Sequence, residues 1–355
     1  MTVDNSAVSA AAAPHGARTG GAGGGRPPAP ATAAGRWRGL RGLGYRYGVL
    51  VVWAVEIVIF SILAPQTFPT VANATSILNA QAALLVLALA VVPTLAAGEY
   101  DLSAAATMTL SATIAGQLSG VSGWNLWLAV LLGLLAAVAV GLLNAFLAVR
   151  VGVQSIVVTL GMGTLLVGLS VWFSNSMTIG GVPRELGAVM NTQLLGVNAA
   201  VYYALLIGAV LWFVHRHTPL GRHVLFVGQN REVARLSGVP VARIRTLCFV
   251  TTSLLSGIAG IMVIGIAGGL QPTSLQSLLL PAFAAAFLGS AIFEPGRVNP
   301  LGTIVAVLFL ATGITGLVLL GLEGWIRDVF YGAAVVLAVT VSRLAFLRTQ
   351  RRTVL

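Results

Sequence analysis

The chain has 355 residues, of which 57% are hydrophobic and only 8% charged. A water-soluble domain carries about 25% charged residues, so most of this surface faces something other than water. The net charge is +11 and every one of the 20 basic residues is Arg. Without Lys the chain cannot build a P-loop, which needs Gly-Lys-Ser/Thr to hold phosphates, and any nucleotide chemistry has to reside on another polypeptide. The Arg residues sit at the ends of apolar runs, not along one polar face, which argues against nucleic-acid binding.

Residues 1–35 are rich in Ala, Gly and Pro and lack apolar periodicity. Such a segment cannot bury enough surface to offset its chain entropy, and a disordered cytoplasmic tail is expected. It has no apolar core of the kind a cleavable signal needs, so the first apolar run is expected to serve as an uncleaved anchor. From residue 47 the apolar runs are long enough for spanning helices, which need about 20 residues each. Their positions predict an all-α, polytopic membrane protein of about ten helices. The spans fall near 47–64, 75–97, 103–119, 124–149, 154–174, 197–215, 244–269, 279–293, 299–320 and 325–343. They define a membrane domain over 36–345, followed by a cytoplasmic tail at 346–355. The third and eighth spans are short. Half-membrane or broken helices are expected there, which a bilayer tolerates only where protein or a cavity surrounds them.

Arginine placement tests that count. With ten spans and both termini in the cytoplasm, the inside segments are those before 47, near 98–102, at 150, over 216–243, near 294–298 and beyond 343. Only Arg184 and Arg327 then fall outside them, as the positive-inside rule requires. The predicted location is a bacterial inner membrane.

Several polar residues stand out along the chain. Glu56 lies near the middle of the first span, where a charge costs about 2.5–3.5 kcal/mol. It is expected to be protonated or to face another helix. Asp101, at a helix start, is expected to act as N-cap and dipole partner. Cys248 lies inside an apolar run and reads as a small residue facing lipid or the core. One thiol forms no intrachain disulfide, and His15, His215, His217 and His223 have no carboxylate framework around them, so no metal and no cofactor are expected.

The longest polar segment within the membrane domain runs from Arg216 to Arg245. Gln229–Leu236 reads as a short helix with Asn230 as its N-cap, Gly238 as its stop and Pro240 shortly after. Glu232 and Arg235 stand at i, i+3 spacing. Physics alone leaves two readings, a solvated amphipathic connector or a helix that docks into a groove of a cytoplasmic partner.

The segment GRHVLFVGQNREVARLSGVPVARIR resembles the cytoplasmic coupling loop of ribose/xylose-type ABC importer permeases, through Gly221, Arg222, Gly228, Asn230, Ala234, Ser237 and Gly238. Three more stretches resemble that family in the same order. These are GEYDLSAAATMTLSA from Gly98, GLLNAFLAVRVGVQSIVVTLGMGTLLVGLS from Gly141, and Phe287 to Val339 with its FLGS, PGR, GITGL and GA pieces. Glu99 departs from the pattern, standing where the family usually has Gly.

The resemblance implies a type II-like importer permease bundle that carries a monosaccharide and has no catalytic residue of its own. Its implied partners are an ABC ATPase subunit, an extracytoplasmic sugar-binding protein and a second permease copy, either this chain or a paralogue. It places ATPase coupling at Gly228, Asn230, Ser237 and Gly238, and Glu232 and Arg235 on the same helix either pair with each other or reach the ATPase. The translocation path needs weak, wettable contacts, and Ser103, Thr107, Asn144, Thr159, Gly161 and Thr164 are the candidates. The same small residues also serve helix packing in membranes. A nucleoside, an autoinducer or a branched-chain amino acid is the alternative cargo. A self-sufficient secondary transporter would want intramembrane acids, of which only Glu56 offers itself. A plain membrane scaffold would need neither the glycine-rich spans nor the polar loop.

Overall fold

The computed structural model describes residues 33–337 and 340, except 295 and 323. Most of the expected N-terminal tail, the end of the tenth span and the expected C-terminal tail lie outside the described residues. Where the bilayer offers no water, backbone polar groups must pair within their own segment, and the long apolar runs accordingly fold as helices. These are α1 (Ala33–Leu63), α2 (Val71–Ala90) with its continuation α3 (Val92–Ala96), α4 (Ala104–Gly116), α5 (Leu126–Ala145), α6 (Ser155–Phe173), α7 (Arg184–Asn191), α8 (Ala199–His217), α9 (Pro219–Gln229), α10 (Arg231–Leu236), α11 (Val241–Ala267), α12 (Leu279–Gly289) and α13 (Pro300–Leu319). Helical structure resumes over 325–337. Short polar side chains mark several starts. Thr70 caps α2, Asn125 caps α5 and Asn299 caps α13, each accepting from a first-turn N–H.

Six helices are long and apolar enough to cross a membrane: Val71–Ala96, Leu126–Val151, Ser155–Phe173, Ala199–His217, Val241–Ala267 and Pro300–Leu319. Each coincides with one of the expected spans. Tyr47–Leu63 and Ser274–Gly289 are shorter apolar helices. The expected third span forms α4, which continues as a π-helical turn over Gln117–Val121. It is enclosed by its neighbours, with every residue of α4 except Ile114 buried. The segment between the fifth and sixth expected spans is not plain loop. It folds into α7, whose Leu186 and Met190 are buried four residues apart, and a two-stranded hairpin of Gln193–Leu194 with Val197–Asn198.

The core lies where α11 packs between α2, α4 and α5, while α12 and α13 pack together against α2. Backbones approach closely there. A Cβ on Gly260 of α11 would overlap the Met108 carbonyl of α4.

α1 lies along α13. Trp53 donates its indole N–H to Thr312 Oγ1 at 2.8 Å, Phe60 lies over Gly316, and the Glu56 carboxylate lies over Gly313. Glu56 thus faces a neighbouring helix. Replacing it by Gln should leave membrane insertion and uptake within about twofold of wild type, because the carboxyl supplies only a polar contact at a helix seam. Uptake by vesicles carrying equal amounts of inserted protein measures this, and complete loss would count against a packing role.

The connecting segments gather into two groups. At one end Arg231 reaches Glu99, Arg245 reaches Ala148, and Arg216 reaches Glu294. The segments near 98–102 and 148–155, the polar stretch 216–245 and the turn after α12 therefore share that polar end. At the other end Ile179 bridges Leu270 and the Asn198 N–H donates to Asn79 Oδ1 at 2.9 Å.

Candidate functional site

The polar stretch between α8 and α11 is more structured than its sequence announces. Its first half is α9, which the expected single helix at 229–236 did not include. Thr218 caps it by accepting the Gly221 N–H at 3.3 Å, and Pro219 occupies its first turn, where a missing N–H does no harm. Val224 and Val227 are buried on one face. That Thr-Pro start followed by apolar residues three apart was the available signal.

Asn230 ends α9 and caps α10, its Oδ1 accepting the Glu232 and Val233 N–H groups at 3.0 and 3.1 Å. Glu232 and Arg235 form an i, i+3 ion pair at 2.6 Å, one of the two arrangements their spacing allows. Both are exposed, so the pair contributes little stability. Ser237 donates its hydroxyl to the Val233 carbonyl. Gly238, at φ +81°, closes the helix, and Val239 N–H reaches back to the Ala234 carbonyl.

Only Ala234 of α10 is buried. Arg231 reaches back to the bundle, while Glu232, Val233, Arg235 and Leu236 are exposed, Val233 at 46% and Leu236 at 78%. Leu236 was not among the residues singled out from sequence. An exposed apolar pair flanked by charges is the composition of a small contact surface.

The loop rests on an apolar cluster of its own. Ala96, Ala97, Val224, Val227, Ala234, Ile244 and Cys248 form it, with Leu220, Phe226 and Val239 packed against it. Cys248 is buried there, the core setting of the two its sequence allows. Gly228 permits the closest approach. A Cβ at that position would overlap the Ala96 carbonyl oxygen and lie 3.2 Å from the Ala97 carbonyl carbon.

Below this junction lies the turn from Gly98 to Ser103. Glu99 is buried, with 2% of its side chain exposed, and its Oε1 accepts from Arg245 Nε at 2.5 Å and forms an ion pair with Arg231 Nη2 at 2.7 Å. Arg231 also donates to the Gly98 carbonyl at 2.9 Å and Arg245 to the Ala148 carbonyl at 3.1 Å. A cavity of about 310 Å³ opens beside them, reaching Gln154, Ser155 and Ile156 at the start of α6.

The turn is tied to α6 and α5 as well. Thr159 Oγ1 accepts the Leu102 N–H at 3.0 Å and donates to the Tyr100 carbonyl at 3.1 Å or the Ser155 carbonyl at 2.9 Å. Asn144 Nδ2 donates to Ser103 Oγ at 2.9 Å, and Ser103 donates both its hydroxyl and its N–H to Asp101 Oδ1, at 2.6 and 3.0 Å.

Asp101 therefore does not occupy the N-cap. Ser103 stands at that position, and the carboxylate of Asp101 holds Ser103 in place. Asp101 sits in the turn outside the spanning helices, where burial pushes its carboxyl up to about 6 against the lowering effect of the Ser103 hydrogen bonds.

The six path candidates divide by environment. Ser103, Thr107, Asn144 and Thr159 are fully buried among α4, α5 and α6. Three of them join in the network above, and Thr107 donates to the Ser103 carbonyl. Gly161 and Thr164 lie on the outward face of α6.

The fold and this site define a polytopic α-helical membrane protein with a structured polar loop seated on one end of its bundle. The chain belongs to the family of permease components of branched-chain amino acid transport systems, which matches residues 73–339.

Among its relatives, the ribose import permease RbsC of Escherichia coli K12 is 28% identical over 82% of this chain and 92% of its own length. The L-arabinose ABC transporter permease AraH of Azospirillum brasilense is 30% identical over 91% of this chain and 94% of its own. The autoinducer 2 import permease LsrD of Yersinia enterocolitica is 31% identical over 72% and 78%. No solved structure matches the chain.

Proposed function

We propose that this chain is the membrane-spanning subunit of an ATP-driven importer for a monosaccharide of the ribose type. The observation that carries the reading is α10. It is a capped, pre-shaped helix seated on the polar end of the bundle, with Glu232, Val233, Arg235 and Leu236 turned outward. Such a helix fits a groove on an ATPase subunit and passes that subunit's closure to the bundle as a rigid-body motion. The Arg-rich loops at the same end support a cytoplasmic setting for it, and for both chain termini, at the inner membrane.

Relatives named for ribose and arabinose favour a pentose cargo. The autoinducer 2 relative, at similar identity, supports a second cargo with the same mechanism. Two docking helices are needed for two ATPase sites, so a second permease copy, this chain or a paralogue, completes the pore. In that arrangement the outward Gly161 and Thr164 of α6 face the shared path, and Ser103, Thr107, Asn144 and Thr159 hold its wall. An extracytoplasmic binding protein delivers the solute.

The test is to purify the complete complex, reconstitute it and measure ATP hydrolysis and uptake with the binding protein. The panel comprises pentoses, hexoses and autoinducer 2. A pentose should stimulate both activities. Uptake without ATP, or a complex with no bound ATPase, would overturn the reading.

A further inference from the structure

We propose that Glu99 is a positioning residue, a buried carboxylate strut that transmits movement of α10 to the starts of the pore-side helices. The proposal rests on the docking role assigned to α10 above. Three observations meet at this side chain. First, Glu99 is enclosed, and its Oε1 is held by guanidinium groups from two different elements, Arg231 at the first residue of α10 and Arg245 in the first turns of α11. Second, Arg231 also grips the Gly98 carbonyl and Arg245 the Ala148 carbonyl, so the ionic centre is fastened to backbone on both sides. Third, the residues that follow Glu99 are bonded onward to α6 through Thr159 and to α5 through Asn144 and Ser103.

A loop contact of exposed side chains would absorb a displacement of α10 by changing rotamers. A buried charge cannot do so, because separating it from its partners leaves it uncompensated away from water. The lowest-energy response to a pull on Arg231 is for Glu99 to follow and carry the 98–103 turn with it. That turn then moves the end of α5 and the start of α6, and the start of α6 borders the cavity beside Glu99. Glu99 thus converts docking-helix motion into pore motion instead of merely holding the fold.

The readout is the number of ATP molecules hydrolysed per sugar imported, measured with the full complex in liposomes. The sugar is the member of the pentose and hexose panel that wild type imports fastest. Glu99→Gln keeps the shape and removes the charge, and Arg231→Ala removes the half-exposed grip from α10. Arg243→Ala, an exposed change in the same turns of α11, is the control.

Glu99→Gln and Arg231→Ala should each raise the ATP-to-sugar ratio about tenfold, with the ATPase still bound and still hydrolysing. The double variant should be no worse than the worse single, as expected for two groups acting as one link. Arg243→Ala should stay within about twofold. Should Glu99→Gln not fold, Arg231→Ala decides alone. A normal ratio in Arg231→Ala overturns the strut, and so does loss of ATPase binding in that variant, which would make Arg231 a partner contact. A wild-type complex without an ATPase, or importing nothing from the panel, instead refutes the docking reading itself.

Discussion

Gly228→Val is expected to reduce solute uptake by about 100-fold while the protein still inserts in the membrane. The reason is local and steric. The Gly228 backbone lies against the turn that ends α3, and any Cβ there overlaps the Ala96 carbonyl, with the Ala96 carbonyl carbon at 3.0 Å. No rotamer change relieves a clash between a Cβ and backbone, so the α9–α10 junction must lift. Overpacking of this kind costs about 1–3 kcal/mol, and about 3 kcal/mol in the docking arrangement is a factor of about 100 in its population. The lift also draws Arg231 away from Glu99. Insertion survives because the clash falls at Ala96, the last residue of the Val71–Ala96 span, and leaves the apolar length of that helix untouched. Uptake normalised to membrane-embedded protein, together with ATPase co-purification, measures the effect. Uptake within threefold of wild type would mean that the junction tolerates a shift and that its close seat carries no mechanical role.

The second large effect is on stability. Gly260→Val should lower the melting temperature of the purified protein by roughly 3–5 °C, the scale of about 2–3 kcal/mol in a domain of this size. Gly260 sits where α11 crosses α4, its missing side chain leaving room for the Met108 carbonyl, with Ala112 N at 3.3 Å from the Cβ position. Because α4 is enclosed on nearly every face, it cannot retreat without disturbing α5 and α6. Gly168→Ala on α6, whose Cβ would meet nothing within 4 Å, should leave the melting temperature unchanged within about 2 °C. Equal shifts for the two variants would mean that close α4–α11 packing does not set stability.

These predictions draw on different layers of legibility. Span positions were readable because a bilayer imposes one length on any apolar run, and the six longest fall where hydropathy put them. α10 was readable for the same kind of reason, since Asn230 and Gly238 carry local geometric signals. α9 was not, because the polar residues around it masked the spacing of Val224 and Val227. α7 was masked similarly, hidden in a segment read only by its lack of long apolar runs.

Glu99 shows the deeper limit. Sequence marked it as a departure from the family pattern, but its partners are 132 and 146 positions away, and no local pattern connects them. The path candidates failed to sort for a related reason. Hydroxyl and glycine composition does not say which face of a helix points inward, and the structure divides them between the bundle interior and the outside of α6.

The polar loop has its own apolar nucleus, built from Ala96 and Ala97 below and Val224, Val227 and Ala234 above. A segment that must be ordered on capture spends part of its interaction energy on that ordering. Here the shape exists before any visitor arrives, so a partner meets a rigid handle. On the docking role proposed for α10, release and re-engagement at each cycle of nucleotide turnover would then be fast, without the handle melting in between.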